Sequence, residues 1–281
     1  MTAAGGASKR PSGWTAATAD RHVLYTHAVQ SVEAEIDFVD STYREIRGKP
    51  ARILREDFCG TGATSCEWAR RRPQNHAVGL DRDQATLAWG GQNILSKLSD
   101  SERARVKLLN RDVREPGREG SGVDMVLAMN FSYWIFRARE ELRAYFARVR
   151  ETLGSGGVFF LDHYGGFESM KEQRDKREIK TRKGPFTYIW DQKTYDPITG
   201  KMDCAIHFHF ADGTRMRNAF TYTWRLWTLP EIQELLSEAG FRNVTVYWEG
   251  DDKKGSGNGV FTPAKQGEAC AAFICYLSAE K

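Results

Sequence analysis

The chain has 281 residues, a length suited to one large domain or to one domain carrying an insertion. Its 41 Lys and Arg against 37 Asp and Glu leave a net charge of +4, spread along the chain; this argues against a nucleic-acid binder, which needs a concentrated basic face. Hydrophobic residues at 41% support a sizeable core and exclude wholesale disorder, and no apolar run approaches the ~20 residues that span a bilayer, so no membrane partner is expected.

Residues 1–20 lack the apolar core of a secretory signal and read as a flexible tail. Val29, Val32, Ile36, Val39 and Tyr43 recur at helical spacing through residues 22–47, and Gly48-Lys49-Pro50 ends the pattern; residues 21–50 are expected to form a helical cap. Strands and helices then alternate: strand 52–58, helix 63–72, strand 76–81, helix 83–98, strands 105–110 and 123–129, helix 138–152, strand 157–162. This order predicts right-handed crossovers and a parallel sheet covered on both faces. Between 164 and 228 the segments turn aromatic and alternate with period two, separated by Asp196-Pro197-Ile198-Thr199-Gly200 and Asp212-Gly213, which predicts an antiparallel β insertion. Leu229-Pro230-Glu231 then opens a helix that Gly240 closes, followed by strand 243–248, a charged glycine-rich loop over 250–268, and a last strand over 269–278. Five cysteines without a CxxC pair indicate neither a disulfide framework nor a zinc ribbon, and a reducing, cytoplasmic setting is expected.

The strongest chemical signal is Glu56-Asp57-Phe58-Cys59-Gly60-Thr61-Gly62, a strand entering a glycine turn that opens a helix. Small glycines let backbone approach a ligand, and a helix start offers free N–H groups. A tight turn without a ligand has the same pattern, so the context decides. Asp81 ends the second strand, where a carboxylate can accept both hydroxyls of a ribose. Asp112 follows the third strand, where an acid can receive an exocyclic adenine amino group, and Asn130 follows the fourth. No GxxxxGK[ST] occurs, and Ala63-Thr64-Ser65 after Gly62 breaks the dinucleotide GxGxxG. The pattern suits a nucleoside without a pyrophosphate.

These residues resemble the class I S-adenosylmethionine-dependent methyltransferases over about residues 51–163 and again over 229–278. Gly60 and Gly62 match the last two glycines of the family's GxGxG turn, Glu56 its strand acid, Asp81 its second-strand acid, Asp112 its adenine-side acid, and Leu127 to Asn130 its fourth-strand motif. Gly154-Ser155-Gly156-Gly157-Val158 resembles the family's turn into strand five, with Ser155 where proline is common. The resemblance implies an α/β fold: a Rossmann-like doubly wound sheet of about seven strands with an antiparallel last strand, made by residues 51–163 and 229–281. Residues 164–228 would be a β-rich lid. It implies S-adenosyl-L-methionine as cofactor, held by Glu56, Phe58, Gly60, Gly62, Asp81, Asp112, Val113 and Asn130, with Tyr25 of the N-terminal helix as a covering residue. Phe58 departs from the family, standing where its first glycine is expected. Arg55 is expected to pair with an acid, since an unpaired buried charge is too costly; Asp57 as that partner and Glu56 as the ligand contact is the preferred split.

Methyl transfer is an in-line displacement, for which an enzyme mainly supplies positioning, desolvation and, where needed, a base. Catalytic candidates at the ends of strands four and five are Asn130, Tyr133 and His163. Asn130 and Tyr133 partly match the [DN]-P-P-[YF] motif of methyltransferases acting on amino groups, without the prolines. His163 reads either as a general base or as a satisfied histidine at a strand end. His207 and His209 share one strand face and read, with Asp203, as metal ligands, as lining of a substrate pocket, or as a solvated outer face; no metal is expected. Arg225 and Trp227 are further substrate candidates, a guanidinium fork being suited to a carboxylate or phosphate, with a surface ion pair as the alternative for Arg225. The function expected is methyl transfer to a small-molecule acceptor under an aromatic lid. A methyltransferase acting on protein or nucleic acid, and a cofactor-binding homologue without catalysis, are the alternatives; oligomeric state stays open.

Overall fold

The computed structural model describes residues 13–253 and 257–281. Residues 1–12 of the expected tail, and residues 254–256 of the expected charged loop, lie outside them. The chain divides into two compact units, Met1–Gln30 with Lys171–Trp224, and Ser31–Met170 with Arg225–Lys281.

In chain order the elements are α1 (Arg21–Ala28), α2 (Val32–Arg47), β1 (Ile53–Asp57), α3 (Ala63–Arg71), β2 (His76–Asp81), α4 (Gln84–Asn93), α5 (Asp100–Arg103), β3 (Val106–Asn110), β4 (Val123–Ala128), α6 (Arg139–Thr152), β5 (Leu153–Gly165), β6 (Gln173–Ile179), β7 (Phe186–Tyr195), β8 (Lys201–Phe210), β9 (Arg215–Arg225), α7 (Leu229–Glu238), β10 (Arg242–Asp251), β11 (Gly257–Ala264) and β12 (Phe273–Glu280). The larger unit holds an eight-stranded sheet in the order β11-β10-β12-β5-β4-β1-β2-β3. The pairs β1–β2, β2–β3, β1–β4 and β4–β5 are parallel, while β5–β12, β12–β10 and β10–β11 are antiparallel. The expected doubly wound α/β sheet is therefore present, with one strand more than expected.

That strand is β11, which lies in the segment read from sequence as a loop. It forms a hairpin with β10, with Val246 opposite Ala264 and Trp248 opposite Thr262. An edge strand needs only one ladder of hydrogen bonds, so glycine and polar residues suffice there and hide it from a propensity reading. The expected cap over 21–50 is likewise two helices in two units. Asp20 caps α1 through bonds from the His22 and Val23 amides, and the helix stops at Val29; Ser31 starts α2. The apolar spacing runs on across this break and so masks it.

One face of the large sheet packs under α2 and α3, with Ile36, Val39, Tyr43, Leu54, Cys66, Trp68, Met125, Leu127, Val158 and Phe160 in a single cluster. The strand order reverses between β1 and β4, which makes the crevice beyond their carboxyl ends the place where such sheets take ligands. In the smaller unit β6-β7-β8-β9 form an antiparallel sheet. Its core joins Leu24 and Ala28 of α1 to Phe186, Tyr188, Ile206, Phe208, Phe210 and Ala219. The expected β insertion thus forms a sheet, joined in its unit by α1.

Candidate active site at the carboxyl ends of β1 and β4

Period-two alternation along β1 sends Arg55 and Asp57 to one face of the sheet and Glu56 to the other. Arg55 is fully buried. Its Nε and Nη2 donate to the two Asp57 oxygens at 2.8 and 3.1 Å, and its Nη1 donates to the Gly120 carbonyl and the Thr152 hydroxyl. Tyr145 Oη–H donates to Asp57 at 2.8 Å. Asp57 is thus the partner of Arg55, as expected.

Glu56 points toward the start of α3, whose N-cap, Gly62, has no side chain to offer. The Glu56 carboxylate takes that role, accepting the Ser65 amide at 2.9 Å and the Ser65 hydroxyl at 2.6 Å. Burial pushes its pKa up to about 7 against these bonds.

The turn itself has left-handed backbone at Phe58 (φ 58°), Gly60 (53°) and Gly62 (72°). A phenylalanine there is strained. Its ring lies 6.1 Å from Phe136 and 5.8 Å from Tyr145, contacts that offset the strain. A Cβ on Gly62 would stand 2.6 Å from Leu108 Cδ2. Gly90 of α4, which sequence reasoning missed, is packed still closer: a Cβ there would stand 2.1 Å from the Thr61 carbonyl oxygen. Its signal was a glycine inside a helical pattern.

Asp81 accepts the Gly60 amide on one oxygen and the Asp83 amide on the other, both at 2.8 Å. Among the described residues neither oxygen is paired with a cation, so lone pairs on both can accept hydroxyls. Asp112 differs: Arg114 grips it through its amide, Nε and Nη2, which holds its pKa below the usual carboxylate range. Val113 beside it is buried.

At the end of β4, Asn130 and Phe131 both have positive φ, 58° and 55°. Their amides donate to Asp162 of β5 at 2.8 and 2.9 Å. Tyr133 Oη–H donates to the Asp162 carbonyl at 2.9 Å and lies 3.2 Å from His163 Nδ1. A carbonyl only accepts and a phenol has one proton, so Nδ1 carries the hydrogen in this pair. His163 is almost fully buried, and desolvation pushes its pKa down to about 3. Burial thus favours the neutral imidazole, and its bond to Tyr133 fits the satisfied-histidine alternative.

The substrate candidates fall in both units. Trp227 is buried and donates its indole N–H to the Phe136 carbonyl. Arg225 stacks over Trp227 at 3.7 Å and bonds the Arg137 carbonyl and Glu231, so its charge is spent on structure. His207 and His209 lie in the smaller unit, on the sheet face opposite the aromatic core. His207 Nδ1 accepts the Asn218 amide and Nε2 meets Asp191 at 3.0 Å. Asp203 instead bonds Thr194, Thr223 and Lys201, so the three do not converge as a ligand set. Tyr25 packs 4.9 Å from Phe220 in the smaller unit.

No protein-family model and no curated protein matches the chain. Solved structures do. An S-adenosylmethionine-bound amino pentose methyltransferase from Micromonospora echinaspora is 19% identical, aligning 92% of this chain with 95% of its own at a TM-score of 0.67. The fold is that of the class I S-adenosylmethionine-dependent methyltransferases. Two further methyltransferase structures agree: one from Clostridium acetobutylicum (15% identity, 92% and 96% covered, TM-score 0.65) and a sugar N-methyltransferase from Streptoalloteichus (15%, 100% and 99%, 0.64). In this methyltransferase fold the Cys59–Gly62 turn and Asn130 flank the point where strand order reverses.

Proposed function

We propose that the protein transfers a methyl group from S-adenosylmethionine to a small-molecule acceptor. The observation that carries this reading is Asp81: a carboxylate at the end of β2, tied to the glycine turn through the Gly60 amide, with lone pairs left over and no cation paired to it among the described residues. That donor and acceptor set fits a ribose diol. No arginine or lysine bonds the Cys59–Gly62 turn among the described residues, which fits a nucleoside without phosphates.

Asp81 would hold the ribose, and Val113 with what Arg114 leaves of Asp112 would border the adenine. Glu56, Phe58, Gly60, Gly62 and Asn130 would surround the amino-acid end. When bound, the cofactor supplies an activated methyl group on a sulfonium. The chain's own contribution is to position and desolvate. The neutral His163–Tyr133 pair keeps the end of β5 fixed without offering a base, which suits an acceptor that is itself nucleophilic. The amino pentose and sugar N-methyltransferases of the same fold support an amine nitrogen on a small molecule. We further propose that the protein works in the cytoplasm; no helix of the described residues is long and apolar enough to cross a membrane.

Calorimetric titration tests the reading. Wild-type protein is expected to bind S-adenosylmethionine and S-adenosylhomocysteine, and Asp81→Ala to weaken both by tenfold or more, since a hydrogen bond to a charged group is worth about 1.5–3 kcal/mol. Unchanged affinity in Asp81→Ala would overturn the assignment of Asp81.

A further inference from the structure

β4 ends at Ala128, and the chain then places two successive non-glycine residues, Asn130 and Phe131, in left-handed conformation. A bulky residue such as Phe131 rarely adopts it, and a strained pair persists only where its surroundings over-determine it. Asp162 of the neighbouring strand does so. Its Oδ2 accepts the Asn130 amide and its Oδ1 the Phe131 amide, one oxygen for each. Its backbone carbonyl takes the Tyr133 hydroxyl, which pins the 3₁₀ turn Ser132–Ile135 behind them. A single residue thus fixes three successive anchor points of this segment.

Asp162 is buried and has no ion-pair partner among the described residues. Burial, with the charge of Glu35, pushes its pKa up to about 7. A carboxylate without a cation is an expensive way to close a turn where a glycine would have sufficed. The turn presents the half-buried Asn130 side chain, which makes no hydrogen bond among the described residues and is free to meet a ligand.

We propose that Asp162 is a positioning residue of the cofactor site, acting through Asn130: its carboxylate holds the Asn130–Phe131 turn in the left-handed form that aims the Asn130 amide at the crevice. This rests on the methyltransferase reading above.

The experiment measures two things on wild type, Asp162→Ala, Asp162→Asn, and Asp162→Ala combined with Phe131→Gly. Amide hydrogen exchange at Asn130 and Phe131 reads the turn, and calorimetry with S-adenosylmethionine reads the site. Asp162→Ala is expected to speed exchange at those two amides while the sheet stays protected, and to weaken cofactor binding about tenfold. Asp162→Asn keeps one acceptor and should fall between. Phe131→Gly is expected to recover most of the affinity, because glycine adopts positive φ without steric cost; a residue that only stabilised the fold would show no such rescue. Wild-type affinity in Asp162→Ala, or unchanged exchange at both amides, overturns the proposal alone. Exposure of the whole sheet in Asp162→Ala, without rescue, reduces Asp162 to a structural residue. Failure of the wild type to bind removes the methyltransferase reading and the proposal together.

Discussion

Glu35, Glu56 and Asp162 are three buried carboxylates, each pushed up to about 7 chiefly by desolvation, and Glu35 raises the other two through its charge. An acid with a raised native pKa binds more protons folded than unfolded between about pH 4.5 and 7. Each such group therefore costs stability at about 1.4 kcal/mol per pH unit as pH rises through that window, and the loss is complete above it. Glu35→Gln removes one ionisation without touching the proposed cofactor contacts. It is expected to match wild type at pH 4.5 and to exceed it at pH 8 in urea-denaturation midpoint; a constant difference across pH would contradict the assignment. On the opposite sheet face, Asp57→Asn leaves Arg55 buried with its partner's whole charge gone and one acceptor oxygen remaining. A loss of about 3–5 kcal/mol in unfolding free energy is expected; a loss below about 1 kcal/mol would mean that the carbonyl and hydroxyl partners of Arg55 suffice. The pairing of Arg55 with Asp57 was legible in the sequence because the cost of a lone buried charge leaves few arrangements. The capping of α3 by Glu56 was not, since it depends on which backbone amides the turn leaves open. Nor was the tie between Asp162 and Asn130, which joins strands 32 residues apart.

The elements were legible where local signals agree with tertiary demands. Strong apolar periods and glycine stops located β1 to β5 and most helices, and Pro230 marked the start of α7, where the structure adds a Thr228–Glu231 capping box. The signal failed where geometry is supplied from elsewhere in the fold: at the edge strand β11, and at the break between α1 and α2. Close packing of elements was equally invisible. Gly90 lets α4 rest against the Thr61 carbonyl, so Gly90→Ala forces helix and turn apart although alanine is the better helix former. The variant is expected to lose stability and to weaken cofactor binding together; higher stability with intact binding would show that α4 can shift without moving the turn.

Across the whole molecule, the charge difference of +4 and the sheet of eight strands are shared with countless unrelated proteins, and neither says what the protein does. The functional reading comes from where a few residues sit on the sheet: a strained glycine turn after β1, an acid after β2 with no paired cation among the described residues, and a half-buried asparagine amide after β4. Chain order alone set those places, because parallel strands with right-handed crossovers deliver every strand's carboxyl end to one edge. The strand ends that would carry the proposed cofactor site were legible in the sequence for that reason. The acceptor side was poorly legible, since the aromatic segments that suggested a lid spend many of their rings on the core of the smaller unit, and Arg225 and Trp227 are held by structural partners. The most direct test is a crystal structure of the protein grown with S-adenosylhomocysteine. The expected result places the ribose hydroxyls on Asp81 and the amino-acid end between the Cys59–Gly62 turn and Asn130. A ligand bound away from the carboxyl ends of β1 and β4, or none at saturating concentration, would contradict the central claim.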